Sequence, residues 1–230
     1  MTSANSLFDL SGRSVLITGG GGALGGAIGL GLSQAGAEVI IVDINLKNAT
    51  NVASTIKSAG GVAHAFEGDL SKESEVEELF TKIDKITSMN ILVNAISAPH
   101  YRYSPDLMPI KDWDKTLSHD LTSFFLTSRA AAQRMIKAGK GGSIINFSSI
   151  AGATSLGRGS VAYGVAKAGI IQLTRDCSFE WAKHGIRVNS ILPCQFENAT
   201  WDEYRKDPAR AKLVERAISG IPMGRFGNPE

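Results

Sequence analysis

The chain has 230 residues, of which 43% are hydrophobic and 20% charged, and its formal net charge is +2. This is the composition of an ordinary soluble globular protein with enough apolar residues for a full core. No run of Lys and Arg is interleaved with aromatics, so nucleic acid and acidic membrane surfaces are not expected partners, and no apolar stretch reaches the roughly 20 residues of a membrane helix.

Residues 14–18 form a short apolar run that ends in glycines and predicts a first strand. A helical pattern follows to Leu32 and stops at Gly36, and residues 38–42 predict a second strand. The rhythm repeats, with a helix over about 46–58, a strand over 62–66, an acidic helix over 71–86 and a strand over 90–94. Beyond Lys111 a long helical region leads to a strand at 143–147. A helix carrying Tyr163 and Lys167 comes next, then a strand at 187–192. A last helical piece, 201–218, follows a loop. Short apolar strands alternating with helices imply parallel pairing, and right-handed crossovers wind such a chain into a doubly wound α/β sheet with helices on both faces. Residues 1–230 read as one domain, within which 195–220 is expected to form a lid over the carboxyl edge of the sheet.

Cys177 and Cys194 lack C-x-x-C spacing, and the first 13 residues contain no apolar signal-peptide core, which points to a reducing, cytoplasmic setting. His64, His100, His119 and His184 are scattered without ligand spacing, so no metal site is expected.

The run of glycines from Gly19 to Gly22, followed by Ala23, Leu24 and Gly25, sits between the first strand and the first helix. Glycines there let the backbone turn tightly and approach a pyrophosphate, whose charge the N-H groups and positive end of the next helix stabilise. A flexible surface loop is the alternative, but four glycines between a buried strand and a buried helix cost entropy without a ligand. Asp43 ends the second strand 18 residues after Gly25, where an acid can hold the ribose hydroxyls of NAD and repel the extra phosphate of NADP. NAD is therefore expected over NADP, although Lys47 is nearby.

Tyr163 and Lys167 share one helix face at i and i+4. A free phenol has a pKa of about 10, and an ammonium within ~4–6 Å can lower it by roughly 1–3 units, which makes Tyr163 a candidate general acid/base. Ser148 and Ser149 lie upstream.

With these residues assembled, the chain resembles the short-chain dehydrogenase/reductase family over nearly its whole length, and so implies a Rossmann-type fold. Thr18 to Gly25 looks like the family's T-G-x-x-x-G-x-G loop, with Gly19, Gly21, Gly22, Leu24 and Gly25 against the cofactor. Asp69 and Leu70 look like its adenine-contacting pair. Asn94 and Ala95 begin its N-N-A-G segment, and Ser149, Tyr163 and Lys167 match its catalytic serine, tyrosine and lysine. The resemblance implies that Tyr163 exchanges a proton with the substrate oxygen while hydride passes between the carbinol carbon and nicotinamide. Ser149 would hydrogen-bond that oxygen, or cap local backbone instead, with Ser148 as the alternative partner. Lys167 would hold the nicotinamide ribose and lower the tyrosine pKa. Pro193 and Phe196, after the sixth strand, are expected near the cofactor.

The chain departs from the family in several places. Ala23 replaces the middle loop glycine, and Ile96 and Ser97 replace the last two residues of N-N-A-G. Asp120 stands for the asparagine that completes a catalytic tetrad. As an ionised aspartate it accepts but cannot donate, so it either alters the proton relay or pairs with a nearby cation for structural reasons. Cys194 replaces the glycine after Pro193 and reads as a packing residue, and Asn198 replaces a cofactor-contacting threonine. The family continues into another helix and a final strand beyond the position of Glu230, so the sheet is expected to lack that strand. The family's helix-bundle dimer implies a homodimer, or a homotetramer, acting on a small-molecule alcohol or ketone.

Segments 97–109, 153–161 and 195–218 are expected to border the substrate. Their His100, Tyr101, Arg102, Tyr103, Arg158, Gln195 and Trp201 would suit a polyol, a sugar or a sugar acid, as would solvated loops. The first hypothesis is an NAD-dependent alcohol or sugar oxidoreductase. The second is a catalytically impaired nucleotide-binding sensor or scaffold, from which retention of Ser149, Tyr163 and Lys167 argues away.

Overall fold

A computed structural model describes residues 7–97 and 101–230. Six strands, β1 (Ser14–Thr18), β2 (Glu38–Asp43), β3 (Ala63–Glu67), β4 (Ile91–Asn94), β5 (Gly142–Phe147) and β6 (Ile186–Ile191), form one sheet in the order β3-β2-β1-β4-β5-β6. Every pairing is parallel. The order reverses between β1 and β4, and in such sheets the crevice outside the carboxyl ends at that point is where ligands bind.

The inner strands β1, β2 and β4 are mainly apolar because both their faces are covered. Along β1, Leu16 points into one core with Ile40, Leu92, Ile144 and Val188, while Val15 and Ile17 point into the other with Val39, Ile41 and Val93. Helices α3 (Glu73–Ile83), α5 (Ser123–Ala138) and α6 (Val161–Trp181) supply Phe80, Met135 and Cys177 to the first core. Helices α1 (Ala23–Gln34) and α2 (Leu46–Ser58) supply Ile28 and Ile56 to the second. Each large side chain fully buried in this way contributes roughly 1.5–3 kcal/mol. Burial also pushes the Cys177 thiol up to about 11, the charge of Asp176 adding to it, so this cysteine packs as a neutral thiol.

The remaining long helical region is α4 (Ile110–Leu117) and α5, joined by a π-helical turn at Ser118–Thr122 in which Ser123 N-H reaches Ser118 O five residues back. Such a widened turn rotates its residues relative to a regular helix. It sets Asp120, at 0% exposure, in the interior.

The chain divides into a unit ending at Leu192 and a second over Pro193–Glu230. In the second, the expected single helix at 201–218 is two, α7 (Ala199–Lys206) and α8 (Pro208–Ser219). Pro208 cannot continue a helix and forces Asp207 into extended backbone, where its carboxylate caps Ala209 N-H. Trp201, Tyr204, Val214, Ala217 and Phe226 make a small core of their own, and Phe196 pairs with Gly227. Among the described residues no helix is long and apolar enough to cross a membrane.

Candidate active site

The β1–α1 turn is built for close approach. Gly19 has φ +65°, and a Cβ there would lie 2.7 Å from Ala95 O and 2.9 Å from Ile96 Cα, so only glycine lets β1 and β4 end side by side. A Cβ on Gly25 would lie 2.5 Å from Gly19 O. Gly22 caps α1 without a side-chain hydrogen bond, and the first turn, with Ala23 and Leu24, carries no acid. A tight cradle at a helix N-terminus whose first turn carries no acid fits a pyrophosphate. Asp43 borders it: its carboxylate accepts from Gly21 N-H at 3.1 Å and from Asn45 N-H at 3.0 Å. It is half-buried, while Lys47 is exposed on α2.

Asp69 and Leu70 divide their roles. Leu70 is buried in the first core. The Asp69 carboxylate accepts from the backbone and hydroxyl of Ser71 and pairs with Lys72 at 3.2 Å, fixing the entry to α3. Asn94 is saturated: its Oδ1 accepts from Thr18 and Thr127, and its Nδ2 donates to Ser128 and Asn146. With both lone pairs and both hydrogens used, the Asn94 side chain ties β1, β4 and β5 to α5, and Ala95 offers only backbone beside the glycine turn. The Asn94 side chain is thus spent within the protein, which leaves its backbone beside the glycine turn.

Ser148 and Ser149 separate at the end of β5. Ser148 is buried and its hydroxyl donates to Lys167 O at 2.7 Å, which removes it as the alternative catalytic serine. Ser149 does cap backbone, accepting from Ala151 N-H at 3.2 Å, and it also hydrogen-bonds Tyr163. The turn holding Ser149 lies directly on α6, since a Cβ on Gly152 would come 2.6 Å from the Lys167 carbonyl carbon.

Lys167 is 2% exposed. Its ammonium donates to Ile96 O and Phe147 O at 3.3 Å each and lies 3.6 Å from Asp120 Oδ1. It also sits 4.8 Å from the Phe124 ring centroid and 5.5 Å from that of Tyr163. Of the two sequence alternatives for Asp120, the cation pair is present, and its partner is the candidate catalytic lysine. At about 4 Å two unit charges attract by roughly 4 kcal/mol at an effective dielectric of ~20, the same order as the cost of desolvating them. Ile96 connects the site's halves, because its Cα borders Gly19 while its carbonyl holds Lys167.

The side chains around Tyr163 shift its pKa up, opposite to the direction expected from the spacing of Tyr163 and Lys167. Burial pushes the phenol up and the Asp120 charge pushes it further, against a hydrogen bond from Ser149 that lowers it. Burial also pulls Lys167 down, and Asp120 opposes that. Asp120 thus acts on both members of the pair, raising the phenol and supporting the ammonium.

Of the proposed substrate segments, Tyr103 is pinned to the start of α6: its N-H donates to Gly159 O at 2.8 Å and its hydroxyl to Asp112 at 2.8 Å. His100 lies outside the described residues. Pro193, Phe196, Gln195 and Trp201 belong to the second unit, where Trp201 packs on Phe226 at 4.8 Å instead of presenting a free ring. Cys194 is exposed there, not a packing residue. Sequence reading missed Ile96, Phe147 and Phe124 around Lys167. Two of them act through backbone carbonyls, which leave no residue signature.

The sequence pattern of the short chain dehydrogenases matches residues 13–209. A (3R)-3-hydroxyacyl-CoA dehydrogenase of Canis lupus familiaris is 34% identical, over 94% of this chain and 84% of that protein. D-threitol dehydrogenase of Mycolicibacterium smegmatis is 32% identical, over 100% of this chain and 88% of its own length. An Agrobacterium tumefaciens structure solved with bound NADP has a TM-score of 0.85 and 31% identity, covering 97% of this chain and 86% of that one.

Proposed function

We propose that this chain, which belongs to the short-chain dehydrogenase/reductase family, is an NAD-dependent oxidoreductase for a small alcohol, polyol or sugar-type substrate. The observation that carries the reading is the meeting of Ser149, Tyr163 and Lys167 beside the glycine cradle, joined to it through Ile96. Gly19, Gly21, Gly22, Leu24 and Gly25 would hold the pyrophosphate and Asp43 the adenosine ribose. Asp69 and Leu70 would border the adenine, and Lys167 and Ala95 the nicotinamide half.

When bound, the nicotinamide supplies the acceptor or donor of hydride. Tyr163 holds the proton that enters or leaves the substrate oxygen. A phenol is protonated at neutral pH and burial raises this one further, so it begins a carbonyl reduction as a loaded acid. Ser149, its oxygen fixed by Ala151 N-H, donates to the same substrate oxygen and steadies its developing charge. The threitol specificity named for the smegmatis relative supports a polyol-type substrate. Exposed Phe125 on α5 and Val165 and Phe179 on α6 support a homodimer.

Asp43 supports NAD over NADP, since its carboxylate would repel a ribose phosphate. Fluorescence titration tests this: NADH should bind more tightly than NADPH, and Asp43→Ser should narrow the difference. Equal or reversed preference in the wild type refutes the role given to Asp43.

A further inference from the structure

We propose that Asp120 is the counter-ion that keeps Lys167 charged inside the protein and fixes its ammonium between β4 and β5, a positioning residue for the acid/base pair. The end of β4 presents the ammonium with the Ile96 carbonyl, β5 with the Phe147 carbonyl and α5 with the Phe124 ring. Among the described residues, the ionisable groups facing it are Tyr163 from its own helix and Asp120 from the π-helical turn. His119, next to Asp120 in sequence, lies instead 4.0 Å from Asp69.

Carbonyl dipoles and aromatic faces favour a cation but do not balance its charge. A lysine this deeply buried gives up its proton toward neutral pH unless a carboxylate accompanies it. Asp120 is the carboxylate in reach, at 3.6 Å and 0% exposure, and the widened turn at Ser118–Thr122 is what brings it there. An asparagine at this position would keep hydrogen-bonding capacity and lose the charge, so charge is the property that residue 120 contributes. Burial and Asp120 act on the lysine in opposite directions, in agreement with this.

The consequence for turnover rests on the oxidoreductase reading, whereas the ionisation of Lys167 does not. Lysine labelled with carbon-13 at Cε, with Lys167→Arg to assign the signal, reports that ionisation by NMR without cofactor or substrate. Asp120→Asn should lower the Lys167 midpoint by about one pH unit or more, and Asp120→Glu, which keeps a carboxylate, should return it toward the wild-type value. An unchanged midpoint in Asp120→Asn overturns the proposal. Asp120→Asn should also lose turnover as pH rises past its new midpoint, where the wild type does not. A shifted midpoint with no turnover in any protein upholds the counter-ion and sinks the oxidoreductase reading instead. If Asp120→Asn does not fold, the double variant Asp120→Asn, Lys167→Met leaves no unpaired charge and should fold again. A double variant no more stable than the single one overturns the proposal.

Discussion

The Ser148 hydroxyl donates to the Lys167 carbonyl at 2.7 Å, which fastens the end of β5 to the middle of α6. Its neighbour Ser149 turns toward Tyr163. The two serines should therefore fail differently. Ser149→Ala should cut kcat by about 100-fold or more, the scale of losing one donor to a developing oxyanion. Ser148→Ala should keep most turnover but lose about 1–3 kcal/mol of stability, because a buried acceptor loses its partner. Kinetics and urea unfolding of both variants check this, and a Ser148→Ala variant that is stable but inactive would reverse the assignment.

Gly19 combines φ +65° with contact against Ala95 and Ile96. Gly19→Ala adds a left-handed strain of roughly 1–2 kcal/mol and a clash with backbone that cannot swing away. The separation of β1 and β4 should increase, and with it NADH binding should weaken and the melting temperature fall. A variant that binds NADH like the wild type would show that the cradle does not need this approach.

Glu38 lies at the opposite end of the sheet, accepting from Ser14 at 2.9 Å and paired with His64 at 3.0 Å. Burial raises its pKa, but hydrogen bonds from Thr87, Ser14 and His64 outweigh that and leave it below 4.5. A depressed folded pKa means stability that is present above about pH 4.5 and lost as pH falls through the folded value. Glu38→Gln should therefore cost up to about 1 kcal/mol at pH 7, with the difference from wild type shrinking toward pH 3. Urea unfolding at both pH values checks this; a deficit that grows in acid contradicts the sign.

Tyr163 carries the opposite shift. Its phenol is raised by burial and then by Asp120, so its contribution to stability is present below about pH 10 and lost as pH rises through the folded value. Alkaline absorbance titration of wild type minus Tyr163→Phe should show one phenol ionising above 10. A midpoint well below 10 would mean that Lys167 governs the phenol after all.

Much of this arrangement is legible in the sequence. Residues 14–18 and 46–58 read directly because an apolar run and a helical period each ended at glycine or polar boundaries, and the glycines placed the cradle. The break at Pro208 was legible too, since a proline inside a helical pattern ends the helix at the residue before it, although the expectation of one helix over 201–218 passed over it. Other features arise only in three dimensions. The π-helical turn inserts one residue into a helix without changing composition, so nothing in residues 118–122 announced that Asp120 would face inward. Asp120 and Lys167 are far apart in the chain, and their pairing depends on how α5 and α6 pack. The direction of the Tyr163 shift followed from burial, which the spacing of Tyr163 and Lys167 does not encode.

In the proposed reaction Tyr163 moves the proton that accompanies an NAD-dependent hydride transfer. A panel of polyols, sugar acids and secondary alcohols with NAD, followed at the NADH absorbance for wild type and Tyr163→Phe, tests it most directly. Turnover by the wild type on at least one substrate, abolished in Tyr163→Phe while NADH binding persists, is the predicted result. Activity that survives the substitution would mean that Tyr163 does not carry the proton.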